Sequence, residues 1–342
     1  MGRWPRKTYG RLDHLGRVET MDPRTKYVVL VLLSALIVAF ESVAVEGAIN
    51  IAGIDVLLVS SIPLLSGGLI LLVISPKSTK RFAYGLGRRG WYWMTALCAL
   101  SALGAFLWFD AVSRIGASKE AILGGGSSEV LAIVFLSAIF LRERLSKREA
   151  LGSGFVLLGV FVVLANTSTL SLSVGFGEAE AILSSILLAG SVVIATYLLW
   201  SHDLTALSGL QLFFSGALLV VGAMMVGVTH LPDMSGFGLL VLIGIFPAAG
   251  LWTYNAGLPK IGASLTSILF ALSGIMTVGV QLAVLAFAPE ADLRLPQSVP
   301  LALAGGVVAF AGVYILNVKR RAADVSANDH ASMEKTSAEG EI

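Results

Sequence analysis

The chain has 342 residues, 56% of them hydrophobic and 13% charged, with a formal net charge of +2. Soluble domains carry roughly 45–50% apolar and about 25% charged residues, so this composition excludes a water-soluble globular domain, and the small net charge gives no footing for nucleic acid. The apolar residues fall in blocks of roughly 20, the length that crosses ~30 Å of hydrocarbon, without the short alternating stretches of a β-barrel. The chain reads as an all-α integral membrane protein.

In chain order, residues 1–26 form a basic, polar segment with no short apolar core and no cleavage-like site, expected to be cytoplasmic and not a signal peptide. Met21 offers an internal start, which would make residues 1–20 dispensable. Apolar spans are expected at 27–47, 56–74, 91–113, 117–140, 149–165, 179–200, 204–228, 236–257, 263–287 and 300–318. Trp91, Trp93 and Trp200 lie at span ends, as in an interface aromatic belt. Residues 319–342 read as a disordered cytoplasmic tail. The single cysteine, Cys98, cannot form an internal disulfide, and no Cys/His spacing marks a metal, so no cofactor is expected.

Positive charge orients the spans. With the N-terminus inside, the inner segments hold 7, 5, 4, 1 and 4 Lys/Arg, whereas the outer side holds only Arg114, Lys119 and Arg294. An even number of spans, with both termini cytoplasmic in a multi-pass cell-membrane protein, follows.

Two stretches, "FDAVSRIGASKEAIL" and "YNAGLPKIGASLTSIL", place the same "IGAS" at the third-to-fourth and the eighth-to-ninth junctions. Gly152 and Gly159 in the fifth span are spaced like Gly305 and Gly312 in the tenth. The chain therefore divides into a five-helix unit over 27–166, an outer linker over 167–178 and a second five-helix unit over 179–318. Five is odd, so the second unit enters the membrane from the opposite side. Such inverted repeats suit alternating access. Asp110 and Asn255 are read as counterparts.

The stretch "VLAIVFLSAIFLRERLSKREALGSGFVLLGVFVVL", from Val130 to Leu164, resembles the end of an EamA-type half in the drug/metabolite transporter superfamily. It has a long apolar span closing on Leu141, Glu143 and Arg144, a basic turn, then Leu151, Gly152 and a second glycine at Gly159. Val130 stands where the family often has proline, and the second half has "FAPEADLRLPQ" in place of the Leu-x-Glu ending. The resemblance covers about 27–318. It implies ten transmembrane helices, as two inverted five-helix EamA-like repeats, around a central cavity.

Ionisable residues in hydrocarbon cost about 2.5–3.5 kcal/mol each on insertion scales, so each needs a reason. Glu41 lies ~21 Å from its span start and Glu129 ~18 Å from its own, both near the midplane. Glu41 has no basic residue at helical spacing, so it is a candidate to hold either a coupling proton or a positive group on a solute. Glu129 follows "GGGSS", three glycines that either admit a neighbouring helix or break the span locally. Asp110 stands four residues before Arg114, the spacing of a same-face ion pair. Glu46 and Glu120 are placed nearer the outer surface. Trp108, Tyr197, Trp252, Tyr254 and Asn255 complete the candidates for a mostly apolar pocket with a few polar anchors.

None of the histidines, His14, His202, His230 and His330, lies deep in a span, and no phosphate-binding loop is present, so neither an enzyme nor an ATP-driven pump is expected. The expected function is secondary active transport of a small organic metabolite. That solute is neutral, zwitterionic or cationic, amino-acid-like or amine-like, with proton-coupled export as one form. A channel or lipid-moving protein of the same architecture is the alternative. The expected partners are the solute, a proton and the lipid bilayer.

Overall fold

A computed structural model describes residues 23–140, 147–164, 175–200, 202–228, 231–296, 298–312 and 314–315. The early N-terminal segment, the tail, the signature residues Leu141, Glu143 and Arg144, and most of the 167–178 linker lie outside the described residues. All the regular structure among the described residues is helical.

The helices are α1 (Pro23–Asn50), α2 (Val56–Ile74), α3 (Pro76–Gly85), α4 (Gly87–Ile115), α5 (Ala117–Leu123), α6 (Glu129–Phe140) and α7 (Lys147–Leu164). They continue with α8 (Phe176–Leu199), α9 (Leu204–Val226), α10 (Met234–Ile243), α11 (Ile245–Ile261), α12 (Ala263–Phe270) and α13 (Leu272–Phe287). A last apolar helix, α14, covers Val299–Gly312. Six helical stretches are long and apolar enough to cross a membrane: α1, α2, α4, α8, α9 and α10 with α11. The chain is a multi-pass membrane protein.

Caps start the helices where the sequence turns polar. The Asp55 carboxylate accepts the Leu57 amide at 2.8 Å, Asp203 accepts that of Ala206 at 2.9 Å, and Asp233 accepts that of Gly236 at 2.7 Å. Both "IGAS" glycines serve one purpose. Gly116 and Gly262 have φ of 83° and 85° with ψ near 155°, a backbone that only glycine adopts without strain, and each ends one helix and starts the next.

Three differences from the expected spans stand out. The short basic helix α3 lies between the second and third spans, where a loop was expected. The eighth span is interrupted at Gly244 and the ninth at Ala271. The fourth span neither breaks nor stays regular. Gly124–Ser128 form a π-helical turn in which the Glu129 amide bonds to the Gly124 carbonyl, widening the helix by one residue per turn.

The helices pack in reciprocal pairs. α1 lies on α11 and α13, while α8 lies on α4 and α6. Ser34 on α1 donates to the Gly250 carbonyl at 2.8 Å, and Ser184 on α8 donates to the Gly104 carbonyl at 2.8 Å. A Cβ at Gly68 would fall 2.6 Å from Phe213 Cα, and one at Gly216 2.9 Å from Leu65 Cα, so α2 and α9 touch backbone to backbone. At the other edge a Cβ at Gly159 would fall 2.6 Å from the Ala309 nitrogen, and one at Gly312 2.6 Å from the Val156 nitrogen. Counting back from Gly116 and Gly262, Tyr254 takes the place of Trp108 and Asn255 that of Phe109. Asp110 corresponds to Ala256, so Asp110 and Asn255 are not counterparts.

Candidate functional site

A cavity of about 190 Å³ is lined by α1, α2, α4, α5, the π turn, α6, α8, α9, α11, α12 and α13. Apolar walls dominate, yet three carboxyl groups face it: Glu41 on α1, Glu120 on α5 and Glu129 at the start of α6. They are 5%, 1% and 7% exposed. No Lys, Arg or His is among the described lining residues. A ring of small hydroxyls, including Ser101, Ser185 and Ser273, supplies the remaining polarity.

The local fold explains why Glu120 reaches the cavity. Gly124 stands one α-helical turn after Glu120, its amide bonded to the Glu120 carbonyl, and a Cβ there would collide with Glu120 Oε1. Glycine at that position therefore leaves room for the carboxylate. Trp108 Nε1 donates to Glu120 Oε2 at 2.5 Å and sets the carboxylate plane. Glu120 Oε1 is buried and has no hydrogen-bond partner among the described residues. Gln211 on α9 is similar: its Nε2 donates to Ser101 Oγ at 2.8 Å, while its buried Oε1 has no partner among the described residues. Both residues line the cavity.

Of the residues singled out in the sequence, Glu41, Glu129, Trp108, Tyr254 and Asn255 line the cavity. Tyr254 pairs its hydroxyl with Ser267 Oγ at 3.2 Å and sets its ring 5.0 Å from Phe270, and Asn255 Nδ2 donates to Ser208 Oγ at 3.0 Å. Asp110, Trp252 and Tyr197 lie elsewhere. Asp110 forms the expected ion pair with Arg114 at 2.9 Å, and Arg114 also meets Glu180 at 3.0 Å. Trp252 donates to Thr205 Oγ1 at 3.0 Å, and Tyr197 packs between Trp93 and Trp200. Glu120, expected nearer the outer surface, lines the cavity as well. Its position could be anticipated only from the glycine one turn later. Gln211 carried no signal in the sequence beyond being a buried amide in an apolar span.

A separate polar cluster, outside the residues that line the cavity, ties several helix ends together. Glu46 on α1 is fully buried and accepts from the Ala117 amide at 3.1 Å, Gln281 Nε2 at 2.9 Å and the Arg294 amide at 2.5 Å. Ser118 hydrogen-bonds Gln281, and Arg294 Nη1 donates to the Arg114 carbonyl at 2.8 Å. The segment before α14 is thereby tied across the ends of α1, α4 and α5.

Comparison with known proteins adds a lineage to this geometry. Residues 25–165 match the model of the EamA-like transporter family. A relative from Methanothermobacter thermautotrophicus, described as an uncharacterized transporter, is 28% identical over 203 residues, 55% of this chain. That match spans 53% of the relative's length. A solved crystal structure superposes with a TM-score of 0.59 over 87% of this chain and 97% of its own, at 16% identity, a likeness of fold alone.

Proposed function

Because the chain is EamA-like over residues 25–165, we propose that it is a secondary active transporter that moves a small organic solute across the cell membrane by alternating access. The observation that carries this reading is the buried, acid-bearing cavity between two sets of helices. A carrier needs a site enclosed near the midplane and reachable from each side in turn. The reciprocal contacts of Ser34/Ser184, Gly68/Gly216 and Gly159/Gly312 support a pair of inverted five-helix units, 27–166 and 179–318, related by a pseudo-two-fold axis. In such a pair each unit can adopt the other's arrangement, which exchanges the open and closed ends. The Lys/Arg distribution supports cytoplasmic termini, with the Glu46–Arg294 cluster outside.

Glu41 and Glu129 supply negative charge or bound protons at the midplane, so a proton gradient is the proposed driving force for export. The test is flux into proteoliposomes for a panel of amines, amino acids, nucleosides and organic acids, with and without an imposed pH gradient. Saturable flux that follows the gradient supports the carrier, and Glu41→Gln is expected to abolish the gradient dependence. Absence of flux for every class, in folded protein, would reject the reading.

A further inference from the structure

We infer that the cavity binds an organic amine cation through its N–H groups, with Glu120 as the anchoring acceptor and Gln211 as a second acceptor. This rests on the carrier reading of the same cavity and narrows its substrate class.

Unpaired buried acceptors select the chemistry. Leaving such a group unmade costs about 1–3 kcal/mol, and more when it is charged. Glu120 Oε1 and Gln211 Oε1 are both in this state, on helices from different parts of the chain. Their own neighbours are already committed: Trp108 Nε1 to Glu120 Oε2, and Ser101 to the amide of Gln211. Both atoms are buried in the resting arrangement, so a ligand meets them once these two cavity-lining side chains turn toward it, and the group that meets them must then satisfy an acceptor. Only a donor does so.

Charge selects further. Glu41, Glu120 and Glu129 line the cavity with no described Lys, Arg or His beside them. An anion is repelled. A zwitterionic amino acid brings a carboxylate that no described cation meets. An ammonium group without a carboxylate matches both features, and Trp108, Tyr254 and Phe270 offer aromatic faces to its apolar portion and its charge.

The unmodified protein supplies the main experiment. Binding of radiolabelled benzylamine and benzyltrimethylammonium to purified full-length protein is measured by scintillation proximity. The two share charge and ring, but only benzylamine has N–H donors. Benzylamine is expected to bind at least about tenfold tighter, in line with the loss of one charge-assisted hydrogen bond. Glu120→Gln, which keeps the shape, is expected to reduce benzylamine binding about tenfold or more. Equal binding of the two compounds would overturn the inference, as would benzylamine binding unchanged by Glu120→Gln. Transport of another solute with no benzylamine binding would overturn the inference and leave the carrier standing. Benzylamine bound at Glu120 without flux of any solute would do the reverse.

Discussion

At the scale of the residue, the site depends on an atom that is absent. Gly124 has no Cβ, and Glu120 Oε1 occupies the place where one would lie. The obstructing atom is the far end of a flexible side chain, so Gly124→Ala leaves the backbone in place and pushes the carboxylate aside. Its neighbour is a built-in control. A Cβ at Gly125 would meet only Phe270 at 3.8 Å and Ser273 at 3.9 Å, ordinary contact distances. Gly124→Ala is therefore expected to weaken amine binding about tenfold, at the level of one charged hydrogen bond, while Gly125→Ala has little effect. Equal effects of the two substitutions would show that the geometry of the π turn, and not the Glu120 position, controls binding. Trp108 acts on the same carboxylate. Trp108→Phe removes the only described donor to Glu120 Oε2, and the uncompensated buried acceptor is expected to cost about 1–3 kcal/mol of thermal stability, recovered in the double variant with Glu120→Met, which removes the acceptor. A melting series on the four proteins checks this.

At the scale of the element, close helix contact rather than hydrophobic contrast holds the bundle, because lipid is as apolar as the helix faces. The α2/α9 pair shows this most directly. Gly68 and Gly216 each rest on the backbone of the opposite helix, and no side chain there can yield. Gly68→Ala and Gly216→Ala are each expected to destabilise by about 1–3 kcal/mol, as overpacking does, whereas Gly222→Ala on α9 faces open space and should be neutral. Thermal unfolding in detergent distinguishes them. These contacts also explain what could be read in advance. Apolar blocks and charge bias set the expected spans because each depends only on local composition, and six helical stretches among the described residues are long and apolar enough to cross a membrane. The interruptions at Gly244 and Ala271 and the π turn did not announce themselves, because "GGGSS" permits close packing, a break or a widened turn equally well. Glu41 and Glu129 were legible as carboxyls in hydrocarbon. Glu120 lies only a few residues from the junction at Gly116, and counting along the span says nothing of the cavity that it faces. Trp252 and Tyr197 have the residue type a pocket would use, but their helices turn them away from it. Chain position does not fix helix rotation, and packing does.

At the scale of the whole molecule, the two junctions at Gly116 and Gly262 match in backbone and differ in the chemistry that follows them. The amide of Glu120 bonds to the Gly116 carbonyl as that of Thr266 bonds to the Gly262 carbonyl, so Thr266 holds the corresponding place. Glu41 likewise corresponds to Ser191, if Ser34 and Ser184 are superposed. Under that matching, the cavity carboxyls Glu41 and Glu120 have uncharged counterparts. The Glu46 carboxyl ties α1 to the start of α5, to α13 and to the segment before α14 through Ala117, Gln281 and Arg294. Hydrogen bonds to a charged acceptor contribute about 1.5–3 kcal/mol each, and about 1.4 kcal/mol shifts a two-state equilibrium tenfold. Removing them should favour the arrangement open on the Arg294 side. In a Cys98→Ala background with Ser273→Cys as the cavity reporter, an impermeant thiol reagent applied from the Arg294 side is expected to react at least about tenfold faster when Glu46→Ala is added. Native Cys98 is 3% exposed and does not line the cavity, so its labelling in the single variant Glu46→Ala separates opening from unfolding. Faster reaction at position 273 with Cys98 still protected would identify Glu46 as the latch of this side. An unchanged rate would mean that the closure is held elsewhere, by the Arg114–Glu180 and Lys119–Glu178 pairs that flank it.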